Sequence, residues 1–374
     1  MPKFCTDAAA QGATGYLTID LSAVCRNYEK LAWMLTPARA AAVVKADAYG
    51  LGAKPVSKAL YGKGCRRFFV AQFAEAVKLR PTLPRDAQIF VLNGLQPGNE
   101  IPCAESGIVP VLNSLEQWRQ WSEAARRLRR TLPAVLQFDT GMSRLGFPPE
   151  ERSALADALS EGSNVEISFI MSHLASADDA DCKLNHQQLA QMNRIADEFA
   201  GFDISFANSG GVFLGDAYHG VLARTGIALY GGAPTAEEPN PMEPVVRIDV
   251  AVVQTRIVPA GTRVGYGGAH VTRQETRLAT IAAGYADGLP RSLSDRGAVY
   301  YEGARLPIVG RVSMDSMTVD ITALPEDALT LGSLVEVLGP HQTLEDLARD
   351  AGTISYEILT GLGDRYLRQY RKGT

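Results

Sequence analysis

Short, nearly continuous apolar runs alternate with helical patterns from Leu17 to about Gly232. The runs are RAAAVVKA (39–46), RFFVAQ (67–72), QIFVLN (88–93), IVPVL (108–112), PAVLQFD (133–139), VEISFIMSH (165–173), DISFANS (203–209) and a region around ARTGIALYG (223–231). A strand that is apolar at successive positions hides both faces, as parallel strands covered by helices do. Between the runs the period becomes helical. Leu189, Met192, Ile195, Ala196 and Phe199 share one face of 182–200. Leu115, Trp118, Trp121 and Ala125 share one face of Ser114–Leu128, which opens on the capping-box-like SLEQ. Eight strands alternating with helices over about 215 residues predict an N-terminal (β/α)8 TIM-like barrel. An open Rossmann sheet fits less well, because no GxGxxG follows the first strand.

The pattern changes at TAEEPNPMEP (235–244), an acidic, Pro-rich boundary. Beyond it VVRIDVAVVQTRIV (245–258), TRLATIAAG (276–284), GAVYYEG (297–303), ARLPIVGRVSM (304–314) and SMTVDIT (316–322) are alternating and β-branched, with turn residues between them. They predict a C-terminal, mainly-β domain. A helix is expected at about Leu344–Asp350 with Thr343 as N-cap, and a short turn at ISYEIL. The early strand YLTID (16–20) can pair with this domain. The expected layout is a loose tail over 1–13, the barrel over 14–240 and the β domain over 241–374.

Composition narrows the partner. Hydrophobic residues make up 46% of the 374 and charged residues 21%, which excludes a disordered or collagen-like chain. With 37 Lys+Arg against 41 Asp+Glu, a charge of −4 gives no electrostatic pull toward nucleic acid or an anionic membrane. A small molecule is the expected partner. The five cysteines have no CxxC spacing, so free thiols are expected rather than disulfides, and no metal site. The N-terminus has no apolar h-region and no run approaches the ~20 residues of a membrane span, so the expected location is cytoplasmic.

A barrel carries its chemistry at the C-terminal ends of its strands. The first run ends on Lys45, with Tyr49 in the following loop. A lysine there reads either as a snorkelling side chain or as an amine whose lowered pKa lets it form a Schiff base. The fifth run leads to Gln137, Asp139 and Arg144, and the sixth to His173, which can be structural or catalytic. The seventh ends on Asn208 and Ser209 in ANSGG, the eighth on Arg224 in RTGIALYG. Glycines and a hydroxyl at these last two ends suit a phosphate, because backbone N–H groups can approach its oxygens. A lysine at one tip and a phosphate cradle at others point to pyridoxal 5′-phosphate. Arg126, Arg127, Arg129 and Arg130 read as a solvated helix face, and the GLG after Tyr49 is too short for a phosphate loop.

Eight strings in order, VVKADAYGLG, DTGMSRLGF, SHLASAD, ANSGG, RTGIALYG, VGYGG, GYADGLPR and GRVSMD, resemble alanine racemase, from about Tyr16 to Arg368. The resemblance implies a fold-type III pyridoxal-phosphate enzyme, an isomerase acting as a homodimer on a small amino acid. It implies that Lys45 binds the cofactor as an internal aldimine and acts as one base. Tyr49, Ser209, Tyr356 and the backbone around Gly226 and Ile227 match phosphate contacts, with Asn208 beside them. Arg224 matches the arginine facing the pyridine nitrogen, and His173 the histidine beside it. Tyr266 matches the second base, supplied by the partner subunit. Arg144 matches the arginine near the substrate carboxylate and cofactor phenolate. Met314 would offer its N–H to that carboxylate, with Asp315 next to it, and Tyr285 resembles a tyrosine lining the access channel.

Racemisation needs two bases flanking a planar carbanion, Lys45 on the D-face and Tyr266 on the L-face as the resemblance implies. A phenol has a pKa near ~10, so a positive neighbourhood from His173 and Arg224 would help it ionise. An arginine at the ring nitrogen cannot easily protonate it, which makes the ring a weaker electron sink and limits side reactions such as transamination. One position departs from the family: Gln137 stands where many members carry a carbon-dioxide-modified lysine. It can accept a hydrogen bond from Arg144 but brings no negative charge. Amino-acid decarboxylases share the barrel and cofactor, yet are not expected to carry VGYGG and GRVSMD together. Non-catalytic pyridoxal-phosphate-binding barrels lack a β domain. Serine or broad-specificity racemisation stays open, as does the choice between D-alanine supply for peptidoglycan and alanine catabolism.

Overall fold

A computed structural model describes residues 12–236 and 239–372. Most of the expected tail, Cys5, and Glu237 and Glu238 of the boundary segment lie outside the described residues. The chain divides into two compact units, Val24–Glu243 and the chain up to Ala23 joined with that from Pro244 onward. In chain order the strands are β1 (Gly15–Asp20), β2 (Arg39–Val43), β3 (Arg67–Val70), β4 (Gln88–Val91), β5 (Val109–Leu112), β6 (Leu132–Gln137), β7 (Val165–Met171), β8 (Ile204–Ser205) and β9 (Leu222–Thr225). They continue with β10 (Val246–Val258), β11 (Arg263–Val264), β12 (His270–Val271), β13 (Thr276–Ile281), β14 (Ala298–Tyr301), β15 (Ala304–Pro307), β16 (Met317–Asp320), β17 (Leu334–Leu338) and β18 (Leu367–Arg371).

In the first unit the strands from β2 to β9 form one parallel sheet in the order β8-β7-β6-β5-β4-β3-β2-β9. The ring closes where the Val221 N–H donates to the Ile204 carbonyl (2.7 Å) and the Arg224 N–H to the Ala207 carbonyl (2.9 Å). Closure requires glycine at 220: its φ is +63° and a Cβ would sit 2.2 Å from the Ile204 carbonyl oxygen. This is the expected barrel. Ala41, Val43, Phe69, Phe90, Val109, Val111, Val135, Phe169, Met171 and Leu222 pack its buried core. The Phe69 and Phe90 rings stack with centroids 4.7 Å apart, so the interior is filled rather than open. Helix Leu115–Leu128 is capped by Ser114, whose Oγ accepts from the Gln117 N–H, and the expected helix over 182–200 runs from Lys183 to Glu198. Arg126 and Arg127 pair with Glu123 on an exposed face. Several apolar runs outlast their strands; Ser172 and His173 lie beyond β7, and Phe206 to Ser209 beyond β8. Those overhangs are the loops that carry the polar side chains.

In the other unit the long β10 organises the sheet. It pairs antiparallel with β1 (Leu17 opposite Ile248) and β17 (Val250 opposite Val335), and its second half pairs with β13. β18 lies parallel to β1, β14 and β15 form a hairpin joined to β17, and β16 pairs with β13. The sequence pattern does not announce β17, β18 or the small hairpin β11–β12. ARLPIVGRVSM is a strand only as far as Pro307, and ISYEIL belongs to a seven-residue helix, Ser355–Gly361, not a short turn. Thr343 caps helix Leu344–Ala351 by accepting from the Asp346 N–H. None of Cys25, Cys65, Cys103 and Cys182 is in a disulfide.

Candidate active site

Lys45 follows β2 and opens a turn of unusual handedness. Ala46, Asp47, Ala48 and Tyr49 all have positive φ, between 50° and 56°. Left-handed backbone costs a non-glycine residue roughly 1–2 kcal/mol, so four in succession need external ties. The turn is tied by the Ala48 N–H to the Val44 carbonyl (3.0 Å), the Gly52 N–H to the Asp47 carbonyl (2.8 Å) and the Ala53 N–H to Asp47 Oδ1 (2.7 Å). The Ala46 N–H donates to Glu75 Oε1 (2.6 Å). Lys45 is half-buried and its Nζ hydrogen-bonds to no described residue. Burial, then the Arg144 charge, lowers its pKa, with Glu75 acting in the opposite sense.

The turn carries Tyr49 into the core, where its ring meets Tyr230 edge-on at 4.9 Å and Tyr230 donates to the Val43 carbonyl (2.8 Å). A Cβ on Gly226 would stand 2.5 Å from the Tyr49 Oη, so the phenol occupies the space a side chain would take. Ser209 is buried, and its Oγ accepts from the N–H groups of Gly226 (2.8 Å) and Ala228 (3.4 Å). That leaves the Ser209 hydroxyl proton to be donated elsewhere. Of the two backbone groups expected here, Gly226 is therefore committed to Ser209, while the Ile227 N–H has no acceptor among the described residues. Asn208 spends its amide on the turn itself: Nδ2 donates to the Leu174 carbonyl and Oδ1 accepts from Gly211. Gly226→Ala is expected to weaken retention of an anionic ligand at these tips and to cost about 1–3 kcal/mol of stability by overpacking. Equilibrium dialysis and urea unfolding would measure the two effects, and unchanged retention would remove Gly226 from the cradle.

Arg224 is buried at 3% exposure and meets only neutral acceptors. It donates to the Ser205 carbonyl (2.8 Å) and Oγ (2.7 Å), to the Ser172 carbonyl (2.5 Å) and to His173 Nδ1 (3.5 Å). Burial lowers its pKa to about 9, which still leaves the guanidinium charged at neutral pH. His173 has its pKa lowered to about 3 by burial and by the charges of Arg224, Arg144 and Lys45. It is thus a neutral imidazole, and acceptance at Nδ1 places its proton on Nε2.

Arg144 is presented by a loop built on Asp139, whose Oδ1 accepts from the N–H groups of Gly141, Met142 and Ser143. The guanidinium is exposed and makes no hydrogen bond to a described residue. Gln137 is buried at the end of β6, and the expected bond from Arg144 to its side chain is not made. Two supporting groups act through contacts that local sequence does not signal. Buried Gln188 donates to Thr140 Oγ1 (3.1 Å) and the His173 carbonyl (2.9 Å) and accepts from the Ala175 N–H (2.9 Å), joining two strand tips. Glu75 is the other.

In the β unit Tyr266 sits between β11 and β12 and is 70% exposed. Met314, Asp315, Tyr285 and Tyr356 are also exposed. The Met314 N–H has no acceptor among the described residues. The Met314 and Tyr285 loops are paired, with the Ala286 N–H donating to the Met314 carbonyl (3.0 Å). Arg365 locks them by donating to both oxygens of Asp287 (2.8 and 2.7 Å) and to Asp315 Oδ1 (2.6 Å). Only a contact across about 50 to 80 residues reveals Arg365.

A closed parallel barrel with a half-buried lysine and small residues at its strand ends, followed by a separate β domain, is the layout of a two-domain barrel enzyme. A family model described as the alanine racemase N-terminal domain matches residues 19–234, and one described as the alanine racemase C-terminal domain matches 245–370. The chain belongs to the alanine racemase family. It is 80% identical over 366 residues to the catabolic alanine racemase of Rhizobium johnstonii, covering 98% of this chain and 97% of that one. Identity to the catabolic alanine racemase of Agrobacterium fabrum is 62% over 362 residues, 97% and 93% of the two chains. The crystal structure of alanine racemase from Bartonella henselae with covalently bound pyridoxal phosphate matches with a TM-score of 0.92 at 45% identity, covering 96% of this chain and all (100%) of that one.

Proposed function

We propose that the protein interconverts L-alanine and D-alanine with pyridoxal 5′-phosphate, as a cytoplasmic homodimer whose active sites are shared between subunits. The observation that carries this reading is the conjunction at the barrel's strand tips of half-buried Lys45, whose Nζ bonds to no described residue, with the Ser209–Gly226 cradle. The cradle fits a phosphate: Ser209 has a hydroxyl proton to give, the Ile227 N–H is available, and Gly226 leaves no Cβ in the way. Lys45 would hold the cofactor covalently, and Ser209, Tyr49, Tyr356 and the Ile227 N–H would hold its phosphate. Arg224 would hold the ring nitrogen with His173 beside it, and Asn208 supports them by fixing the turn after β8. When bound, the cofactor supplies an electron sink for the pair left at the substrate Cα.

The chain's own residues do the rest. Arg144 and the N–H of the partner subunit's Met314 orient the substrate carboxylate, and Arg365 keeps the Met314, Asp315 and Tyr285 loops of its own chain in place. Lys45 Nζ exchanges the Cα proton on the D-face, helped by burial that favours its neutral form. The partner subunit's Tyr266 exchanges it on the L-face. Arg224, a cation with no carboxylate among its described hydrogen-bond partners, would keep positive charge beside the ring nitrogen without releasing a proton to it. The role we assign is alanine catabolism, supported by the catabolic designation of the Rhizobium and Agrobacterium relatives. The test supplies the purified protein with cofactor and a panel of L-amino acids, read by chiral chromatography. L-Alanine should racemise fastest; release of carbon dioxide, or a faster bulky substrate, would overturn the assignment.

A further inference from the structure

Glu75 is the third residue after the N-cap of helix Phe73–Leu79, and its two oxygens serve different elements. Oε2 accepts from the N–H groups of Ala71 (2.8 Å) and Gln72 (2.9 Å), at the start of its own helix. Oε1 reaches another strand tip and accepts from the Ala46 N–H (2.6 Å). Ala46 is the residue next to Lys45 and the first of the four left-handed residues. A strained turn persists where its surroundings over-determine it. Here a carboxylate anchored to the β3 tip supplies that tie.

We propose that Glu75 is a positioning residue for Lys45: it clamps the backbone from which the amine is presented and brings a negative charge to that turn. The charged and titratable groups acting on Lys45 or acted on by it are Arg144 from the loop after β6, His173 from the tip of β7, and Glu75. Glu75 is the acid among them. Its charge favours the ammonium form, while burial and Arg144 favour the neutral amine. The carboxylate therefore moves the pH at which Lys45 becomes a base upward, against the larger effect of burial and that of Arg144.

The inference rests on the assignment of Lys45 above, and the test separates the two. The full-length protein, stripped of cofactor, is pulse-acetylated across a pH series, and the Lys45 peptide is quantified by mass spectrometry. Glu75→Gln keeps a capping-competent side chain, since glutamine also serves at this helix position, but removes the charge. Its Lys45 labelling midpoint should move to lower pH than wild type, with the melting temperature little changed. Glu75→Asp keeps the charge but shortens the reach to Ala46. Its midpoint should stay nearer wild type, while kcat of the loaded enzyme falls on the order of 10- to 100-fold through misplacement of the amine. A wild-type midpoint in Glu75→Gln together with a wild-type kcat in Glu75→Asp would overturn the proposal. Borohydride reduction of the loaded wild type serves as the control: a label away from Lys45 overturns the site assignment itself and the Glu75 role with it.

Discussion

Lys45→Ala is expected to abolish racemisation and to leave a protein that loses its cofactor on gel filtration. Two contributions vanish together. A missing general base alone costs about 10²–10⁴-fold in rate. The covalent tie to the cofactor goes as well, so the loss should exceed that of any other single substitution at these strand tips. The fold should not suffer, because Lys45 makes no hydrogen bond to a described residue and removing a half-buried ammonium removes a desolvation cost. Wild-type protein treated with borohydride should carry the reduced adduct on the peptide containing Lys45. Adduct on a different lysine, or full activity in Lys45→Ala, would end the assignment.

Tyr266→Phe should produce the second-largest loss, with a directional signature. The substitution keeps the ring and removes only the hydroxyl, and Tyr266 is exposed on the β11–β12 hairpin, so stability should hardly change. Net racemisation should fall about 10²–10⁴-fold in both directions, because the equilibrium constant between enantiomers is one. Exchange of the Cα proton with heavy water should split. D-Alanine still meets Lys45 and continues to exchange, while exchange from L-alanine falls sharply. Deuterium entry into each enantiomer, followed by mass spectrometry, measures this. Equal loss from both would mean that Tyr266 is not the L-face base.

The barrel is legible from sequence because a strand buried on both faces writes its burial into consecutive residues, as FFV before Ala71 and IFV before Leu92 show. The β unit is less so. β18 reads LRQYR and is half-exposed, so neither apolarity nor strict alternation marks it, and the two-residue strands β11 and β12 are below any period. Within the candidate site, residues at strand tips stand out by position, which is why Lys45, His173, Ser209 and Arg224 are candidates. Glu75, Gln188 and Arg365 act through contacts with distant loops, to Ala46, Thr140 and Asp315 respectively. Local pattern contains no trace of those contacts, although Glu75 three residues after Gln72 does signal a cap. Gln137 shows the converse. Its position relative to Arg144 is plain in the sequence, and the bond expected between them is not formed.

A two-base site assembled from two copies of the chain can be tested with mixed dimers. Lys45→Ala and Tyr266→Phe chains carrying different affinity tags are co-expressed, and the dimer bearing both tags is isolated. One of its two sites then combines an intact Lys45 with the intact Tyr266 of the partner subunit, so racemisation at about half the wild-type rate per dimer is expected. If Tyr266 served its own barrel, every site in the mixed dimer would lack one group. Activity no higher than that of either parent would contradict a site shared between subunits.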